Sequence, residues 1–124
     1  MIVNTGRAYL RSRIEANTAL FAGTLYLCLS TDGTAPAAGD TLIAGEITAN
    51  GLQRVAVTAA HTSGQNTWAF SNTFTYSGST AVNVQKVALW DAPAGGNLIT
   101  EDIVPVTTFS QAGDSCPFQI LLSL

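Results

Sequence analysis

The chain has 124 residues and a mass of 12.9 kDa, enough for one domain with a modest hydrophobic core. Hydrophobic residues make up 47% of the chain and charged residues only 10%, whereas about 25% charged residues is usual. The net charge of −3 excludes a global basic field that would attract nucleic acid. No apolar run approaches the roughly 18 to 20 residues of a membrane span. Because surface charge normally deters association, this composition favours a protein that packs against copies of itself or a larger assembly.

The first twenty residues are the helical candidate of the chain. Asn4 or Thr5 offers a capping side chain at the start of this segment. Four residues recur at helical spacing: Val3, Arg7, Leu10 and Ile14. Since this stripe is thin, we predict a short helix within an N-terminal helical arm, residues 1–20.

The rest of the chain shows short alternating segments separated by turns, which is typical of antiparallel strands. Four aromatic side chains fall on one face of the most regular segment, and we expect that face to fill a core rather than bind sugar rings. These aromatics are Trp68, Phe70, Phe74 and Tyr76. The predicted strands cover residues 24–30, 54–58, 68–76, 82–90, 98–106 and 116–124, with a weak extended segment at 41–47.

Turns and irregularities complete this pattern. Asn50-Gly51 and Gly95-Gly96 predict tight turns, because these residues tolerate a positive φ angle. The apolar parity of residues 82–90 switches at Gln85-Lys86, which predicts a β-bulge there. Pro105 indicates an edge strand or the end of a strand. We therefore predict an all-β fold: a single antiparallel β-sandwich or jelly-roll-like domain over residues 24–124, preceded by the short N-terminal helix, with the whole chain, 1–124, as one domain.

Cys28 and Cys116 both fall inside strand-like stretches. They are interpreted first as two small buried hydrophobic residues, since unpaired cysteine is among the most buried residue types. A disulfide between the first and last strands is the alternative, and it requires an oxidising compartment. A single pair without a CxxC motif does not indicate a zinc site.

The ionisable residues do not form a catalytic pattern, so we expect no enzyme activity and no cofactor. His61 lies in a polar loop and is interpreted as a solvated residue. Glu101 and Asp102 are adjacent on a strand, so they point to opposite faces and make a poor acid–base pair. Three further carboxylates stand beside turns, where such side chains bond their own backbone: Asp32, Asp91 and Asp114.

Three of the five basic residues cluster near the N-terminus: Arg7, Arg11 and Arg13. They are the candidate residues for contact with a partner. As one helix face they would pair with carboxylates of a neighbouring subunit, or touch packaged DNA if this end faces it. Three charges are too few for an independent nucleic-acid binder, and a solvated or salt-bridged helix face is the simpler interpretation.

Three segments in order resemble small virion structural proteins of tailed bacteriophages, a group that includes tail-fibre-like and capsid decoration proteins. The segments are NGLQRVAV (50–57), VALWDAPAGGNLI (87–99) and QAGD (111–114), the last ahead of an apolar terminal strand. The resemblance spans roughly residues 45–124. It implies a β-rich structural protein located in the virion and assembled in the host cytoplasm, and it brings no catalytic residues with it.

Composition and resemblance together lead to the hypothesis of a capsid decoration (cement) protein. Such a protein would form oligomers on the shell and clamp adjacent capsid subunits, so its partners would be the major capsid protein and copies of itself. The alternative is a tail-fibre or baseplate component that contacts host glycan through loops 31–40 and 61–66. Neither hypothesis includes a small-molecule substrate, a membrane or direct contact with nucleic acid.

Overall fold

The computed structural model of the chain describes residues 1–15 and 24–124. These residues form one helix and six strands. The strands make two antiparallel sheets: a four-stranded sheet with the order β2-β1-β4-β5 and a two-stranded sheet that pairs β3 with β6. This confirms the predicted all-β sandwich with a short N-terminal helix. The elements are α1 (Asn4–Glu15), β1 (Leu25–Ser30), β2 (Val55–Val57), β3 (Thr67–Thr75), β4 (Val82–Trp90), β5 (Leu98–Phe109) and β6 (Ser115–Ser123).

The main core lies between the two sheets. From the two-stranded sheet, Phe70 and Phe74 are buried, as is Tyr76 just after β3, so the predicted aromatic core face is confirmed for these residues. Trp68 on the same face is half-buried and packs against the edge of the core. The facing side chains of the four-stranded sheet are aliphatic and include Leu27, Leu29, Val87 and Leu89.

A second, smaller cluster covers the opposite face of the four-stranded sheet. Cys28, Ala88 and Trp90 project from this face and pack against Val3 and Ile43. The four-stranded sheet is thus buried on both faces where β4 ends. Double burial explains why β4 ends in a continuous apolar run instead of an alternating one.

The break in register predicted at Gln85-Lys86 is confirmed in position, but it is not a bulge of β4. Val84 pairs with Thr107, whereas Lys86, two residues later, pairs with Ile103. The extra residues therefore belong to β5 and include Pro105. Since β5 lies at the edge of its sheet, its proline disturbs no interior ladder, in agreement with the edge position predicted for it.

The turn predictions hold, but the weak extended segment does not form a strand. Asn50 and Gly51 have φ angles of 60° and 82°, and the Leu52 N–H donates to the Ala49 carbonyl over 3.2 Å, which closes the turn. Within residues 41–47, the sole sheet contact is the bridge from Glu46 to Ser30. This segment is held by that bridge and by burial of Ile43.

Helix α1 packs against its own sheet along β5. The Val3 carbonyl accepts the Arg7 N–H over 2.9 Å, at the first turn. The Thr5 hydroxyl donates to the Leu98 carbonyl over 2.6 Å, so Thr5 anchors the helix to β5 instead of capping it, and that part of the prediction is wrong. Residues 16–20 of the predicted arm lie outside the described residues. No helix in the described ranges has the length and apolar character needed to cross a bilayer.

The close approach of α1 to β5 makes Gly6 sensitive to substitution. A Cβ at this position would overlap the Ile99 carbonyl oxygen. Alanine favours a helix by about 1 kcal/mol over glycine, but overpacking costs about 1–3 kcal/mol. Because the contact is with backbone, we expect Gly6→Ala to lower the free energy of unfolding by about 1–2 kcal/mol in net, measured by urea denaturation. Gly39→Ala is the control, because open space surrounds Gly39; equal stability of both variants would contradict the close packing.

Candidate functional site

The charged side chains are concentrated in two parts of the sequence. Of the 5 basic and 8 acidic residues, only Asp114 lies within residues 55–85 and 103–124. These two uncharged segments form β2, β3, β6, the start of β4 and most of β5. Any surface made from them meets a partner without like-charge repulsion.

The three arginines predicted to contact a partner do not form one cluster. Arg7 and Arg11 are exposed on α1 and line a shallow groove of about 550 Å³. Arg13 is half-buried, and its guanidinium lies over the Tyr9 ring, 5.3 Å from the ring centre. The groove is completed by Ile2, Leu10, Glu15 and Leu124. Contact of these arginines with a partner stays a prediction.

A buried charge cluster, absent from the sequence-based predictions, joins β4 and β5 to the loop after β1. Lys86 is 3% exposed and Glu101 is 0% exposed. The Lys86 Nζ lies 3.3 Å from Asp32 Oδ2 and 3.5 Å from Glu101 Oε2. Neither carboxylate oxygen of Glu101 accepts a hydrogen bond within the described residues. Lys86 therefore offsets the charge of a buried carboxylate to which the described residues donate no hydrogen bond.

The protonation of this cluster is shifted by burial and by a second carboxyl group. Burial is the main cause that raises the pKa of Glu101, and hydrogen bonding with Asp40 raises it further. The same contact lowers the pKa of Asp40. The cluster thus fastens loop 31–40 to the sheet through the contacts of Lys86 with Asp32 and Glu101.

Arg54 fixes the loop between β4 and β5. Its guanidinium makes a bidentate ion pair with Glu46, at 2.7 and 2.9 Å. It also donates to the Ala92 carbonyl over 2.9 Å and to the Gly95 carbonyl over 2.8 Å. The same group lies 4.0 Å from the centre of the Trp90 ring. One side chain thereby connects loop 91–97, the start of β2 and segment 41–47.

The turn aspartates behave largely as predicted. Asp91 accepts the Asn97 N–H over 2.7 Å and closes loop 91–97. Asp114 accepts the N–H of Ser110 over 2.7 Å and closes the turn before β6. Asp32 accepts the Thr34 hydroxyl over 2.8 Å, a local bond of the predicted kind, but it also pairs with Lys86. Glu101 and Asp102 pair with Ala88 and Val87, on opposite faces of the sheet, as predicted.

His61 is exposed, as predicted, but it is not simply solvated. Its ring stacks on Trp68 with 4.2 Å between ring centres and 8° between ring planes. Its Nδ1 lies 3.0 Å from the Thr67 carbonyl oxygen. His61 forms one side of a shallow depression with small and polar walls, which include Ala59, Thr62 and Gln65. Sequence alone missed this exposed ring surface because the two residues come together only through the turn at residues 62–66.

Both cysteines are free thiols, and Cys28 is buried. Burial raises the pKa of Cys28 to about 12, and the nearby Glu46 charge adds to this effect. We therefore expect Cys28 to be unreactive in the folded protein, because the thiolate is the reactive form. At pH 8, a thiol reagent should modify the half-buried Cys116, and Cys28 only after denaturation. Rapid reaction of two thiols per native chain would contradict this burial.

The fold and its surfaces define a class of protein: a small β-sandwich with ion-paired side chains around Arg54 and Lys86 and with long uncharged strands at the surface. Such a molecule is suited to structural contacts. The sequence model of one family, described as "Podophage GP4 fiber I protein gp80", matches residues 6–121, and the chain belongs to this family. It is a structural protein of a tailed-phage virion, which confirms the family resemblance noted in the sequence. No curated protein matches the chain.

Proposed function

We propose that the chain is a subunit of a fibre carried by a podophage particle. The observation that carries this proposal is the family match over residues 6–121, because the description of that family is of a fibre protein. The uncharged strands support it, since subunits of a fibre must bury surface against each other. In this proposal the capsid decoration role becomes the second candidate.

The mechanism we propose is mechanical and not enzymatic. Arg54 and the Lys86–Glu101 pair hold the loops on the sheets, so the strands at the surface keep a fixed shape for assembly. The proposed partners are copies of the chain itself and the virion protein to which the fibre attaches. Assembly would take place in the host cytoplasm, with no small-molecule substrate, membrane or nucleic acid involved.

A host glycan is a further partner only if the chain lies near the tip of the fibre. The exposed face of His61, stacked on Trp68, is an aromatic surface beside the polar side chains of loop 61–66, and sugar rings pack on such surfaces. Loop 31–40 was the other predicted glycan contact. Asp32 and Asp40 are engaged with Lys86 and Glu101 there, which favours loop 61–66.

Capsid decoration is favoured by a different observation. Phe70, Phe74 and Tyr76 are buried, so they offer no sugar-binding surface. A compact domain of this kind suits a clamp between subunits of the major capsid protein. A protein that binds only the assembled shell would stabilise it against heat.

Immunogold labelling of intact particles separates the two candidates. Antibody raised against the recombinant chain should place gold on the tail or on fibres that extend from it. Gold spread over the heads would contradict the fibre proposal and support decoration. Particles made without the protein supply the second readout: the fibre proposal predicts heads of unchanged heat stability, whereas decoration predicts heads that open at lower temperature.

A further inference from the structure

We propose that the outer edge of β6 pairs with the same edge of a second copy of the chain, over residues 119–123. Pairing of this kind would continue the two-stranded β3–β6 sheet into a four-stranded sheet shared by two copies. The inference deepens the proposed function, since it names the surface through which subunits of a fibre meet.

The hydrogen bonds of the β3–β6 pair show which backbone groups of β6 face outward. At one end the Tyr76 N–H donates to the Asp114 carbonyl over 2.8 Å, and at the other the Leu124 N–H donates to the Asn66 carbonyl over 2.9 Å. Hydrogen-bonded residue pairs alternate along an antiparallel ladder. The even-numbered residues of β6 therefore bond to β3, and the odd-numbered residues direct their N–H and C=O groups to the far side.

On β3, too, the odd-numbered residues direct their backbone groups away from β6. Ala69, an odd-numbered residue, exchanges two backbone hydrogen bonds with Ala60, at 2.8 and 2.9 Å. On β6, by contrast, residues 1–15 and 24–124 supply no backbone partner to the outer side. Pro117 occupies one of the outward-facing positions, so its missing N–H removes no hydrogen bond between β6 and β3. Residues 119, 121 and 123 present complete peptide groups.

The two edges of the four-stranded sheet are short, covered or irregular. β2 has three residues. The first half of β5 is covered by the N-terminal segment, which forms the bridge from Ile2 to Thr100. The second half of β5 contains Pro105 and a break in register. Proteins normally protect an edge with such features or with charge, and among residues 1–15 and 24–124 nothing of this kind protects residues 119–123.

A second copy fits this edge better than a charged partner does. Each copy has a net charge of −3, but β6 carries no charged residue, so no like charges of two copies come into contact at this edge. An antiparallel register centred on Leu121 places this side chain beside its own copy and Gln119 beside Ser123. Leu121 is 52% exposed in the single chain, and the pairing would cover it. Pro117 lies outside the paired segment in this register.

The expected association is weak in dilute solution. Five residues per chain bury far less than the roughly 1,200–2,000 Å² of a standard interface. A fibre would hold the copies at high local concentration, which strengthens weak contacts. The test must therefore detect a geometrically specific contact at high protein concentration.

Cysteine cross-linking of the full chain tests the register directly. In a Cys116→Ser background, Leu121→Cys should form a disulfide-linked dimer on mild oxidation, because Cα atoms of a hydrogen-bonded antiparallel pair are about 5.5 Å apart. Ser71→Cys is the matched control. Ser71 is exposed on β3, where it pairs with Gln119 on the side away from the outer edge of β6, so the edge model predicts that this variant remains monomeric. Equal cross-linking of both variants, or none with Leu121→Cys, would overturn the edge pairing.

Sedimentation velocity of lysine variants supplies an independent readout. We expect Leu121→Lys to abolish the concentration-dependent dimer and Ser71→Lys to retain it. If both lysines abolish the dimer, two sheets stack face to face and the edge model is wrong. If Val106→Lys on β5 abolishes it and Leu121→Lys does not, the interface belongs to β5. A wild-type chain that stays monomeric at 100-fold the concentration used for cross-linking would also overturn the inference.

Failure of this inference is distinguishable from failure of the proposed function. Immunogold labelling reports where the wild-type chain lies on the particle, whatever edge it uses. Gold on the tail with no cross-link through residue 121 would leave the fibre proposal intact and remove the edge pairing. Gold on the heads together with the cross-link would contradict the fibre proposal and leave the edge pairing intact.

Discussion

Lys86→Met is expected to lower the free energy of unfolding at pH 7 by about 3–5 kcal/mol, the usual cost of leaving a buried charge without its partner. Lys86 is the one cation within 4 Å of the Glu101 carboxylate among the described residues, and the Glu101 oxygens accept no hydrogen bond there. The variant would bury an ionised carboxylate beside Asp32 and Asp40. Urea denaturation followed by circular dichroism measures the loss.

The double variant Lys86→Met/Glu101→Leu is the control for this result. Replacing both members of a buried pair with apolar residues is often neutral or stabilising, so the double variant should recover most of the lost stability. A double variant as unstable as Lys86→Met would show that shape, and not charge, dominates at this position.

The pH dependence of stability provides a separate prediction with a defined sign. Because the pKa of Glu101 is raised from its ordinary value of 4.5, the folded state holds this proton more tightly than the unfolded state. Its contribution is present in full below pH 4.5 and is lost as pH rises through the folded-state pKa. Glu101→Gln should therefore remove a decline in stability above pH 4.5 that the wild type shows. A wild type whose stability rises throughout that range would contradict the shift.

Arg54→Lys is expected to cost about 3 kcal/mol of unfolding free energy, although it keeps the positive charge. Hydrogen bonds to charged groups contribute about 1.5–3 kcal/mol each, and lysine cannot reproduce the planar fork that binds Glu46 while reaching the Ala92 and Gly95 carbonyls. The neighbouring exposed Gln53→Ala is the control, with an expected change near zero. Stability of Arg54→Lys equal to that of Gln53→Ala would mean that charge alone suffices at residue 54.

The features that sequence predicted well depend on local patterns. The parity switch in β4 is visible in the sequence because the apolar residues Val84 and Val87 stand three positions apart, which no regular strand places on one face. In the structure the register with β5 changes between Thr107 and Ile103. Asn50-Gly51 required positive φ angles and has them. Such features are determined within a few residues of chain.

The features that sequence missed depend on contacts between distant residues. The sequence pattern places Arg54 only at the start of the predicted strand 54–58, whereas its guanidinium binds carbonyl groups 38 and 41 residues away. Lys86 and Glu101 are brought together by the pairing of β4 with β5, and no local pattern specifies which residues of the two strands meet. The helix cap was misjudged for the same reason, since the Thr5 hydroxyl found a carbonyl on β5.

Hydrogen–deuterium exchange of the chain in purified particles, compared with the free recombinant chain, tests the central claim that this structural protein is assembled through its uncharged strands. The account predicts that peptides from residues 115–124 exchange more slowly in the particle than in the free chain. Slowed exchange confined to α1 and loop 31–40, with peptides of β6 exchanging equally fast in both samples, would contradict it.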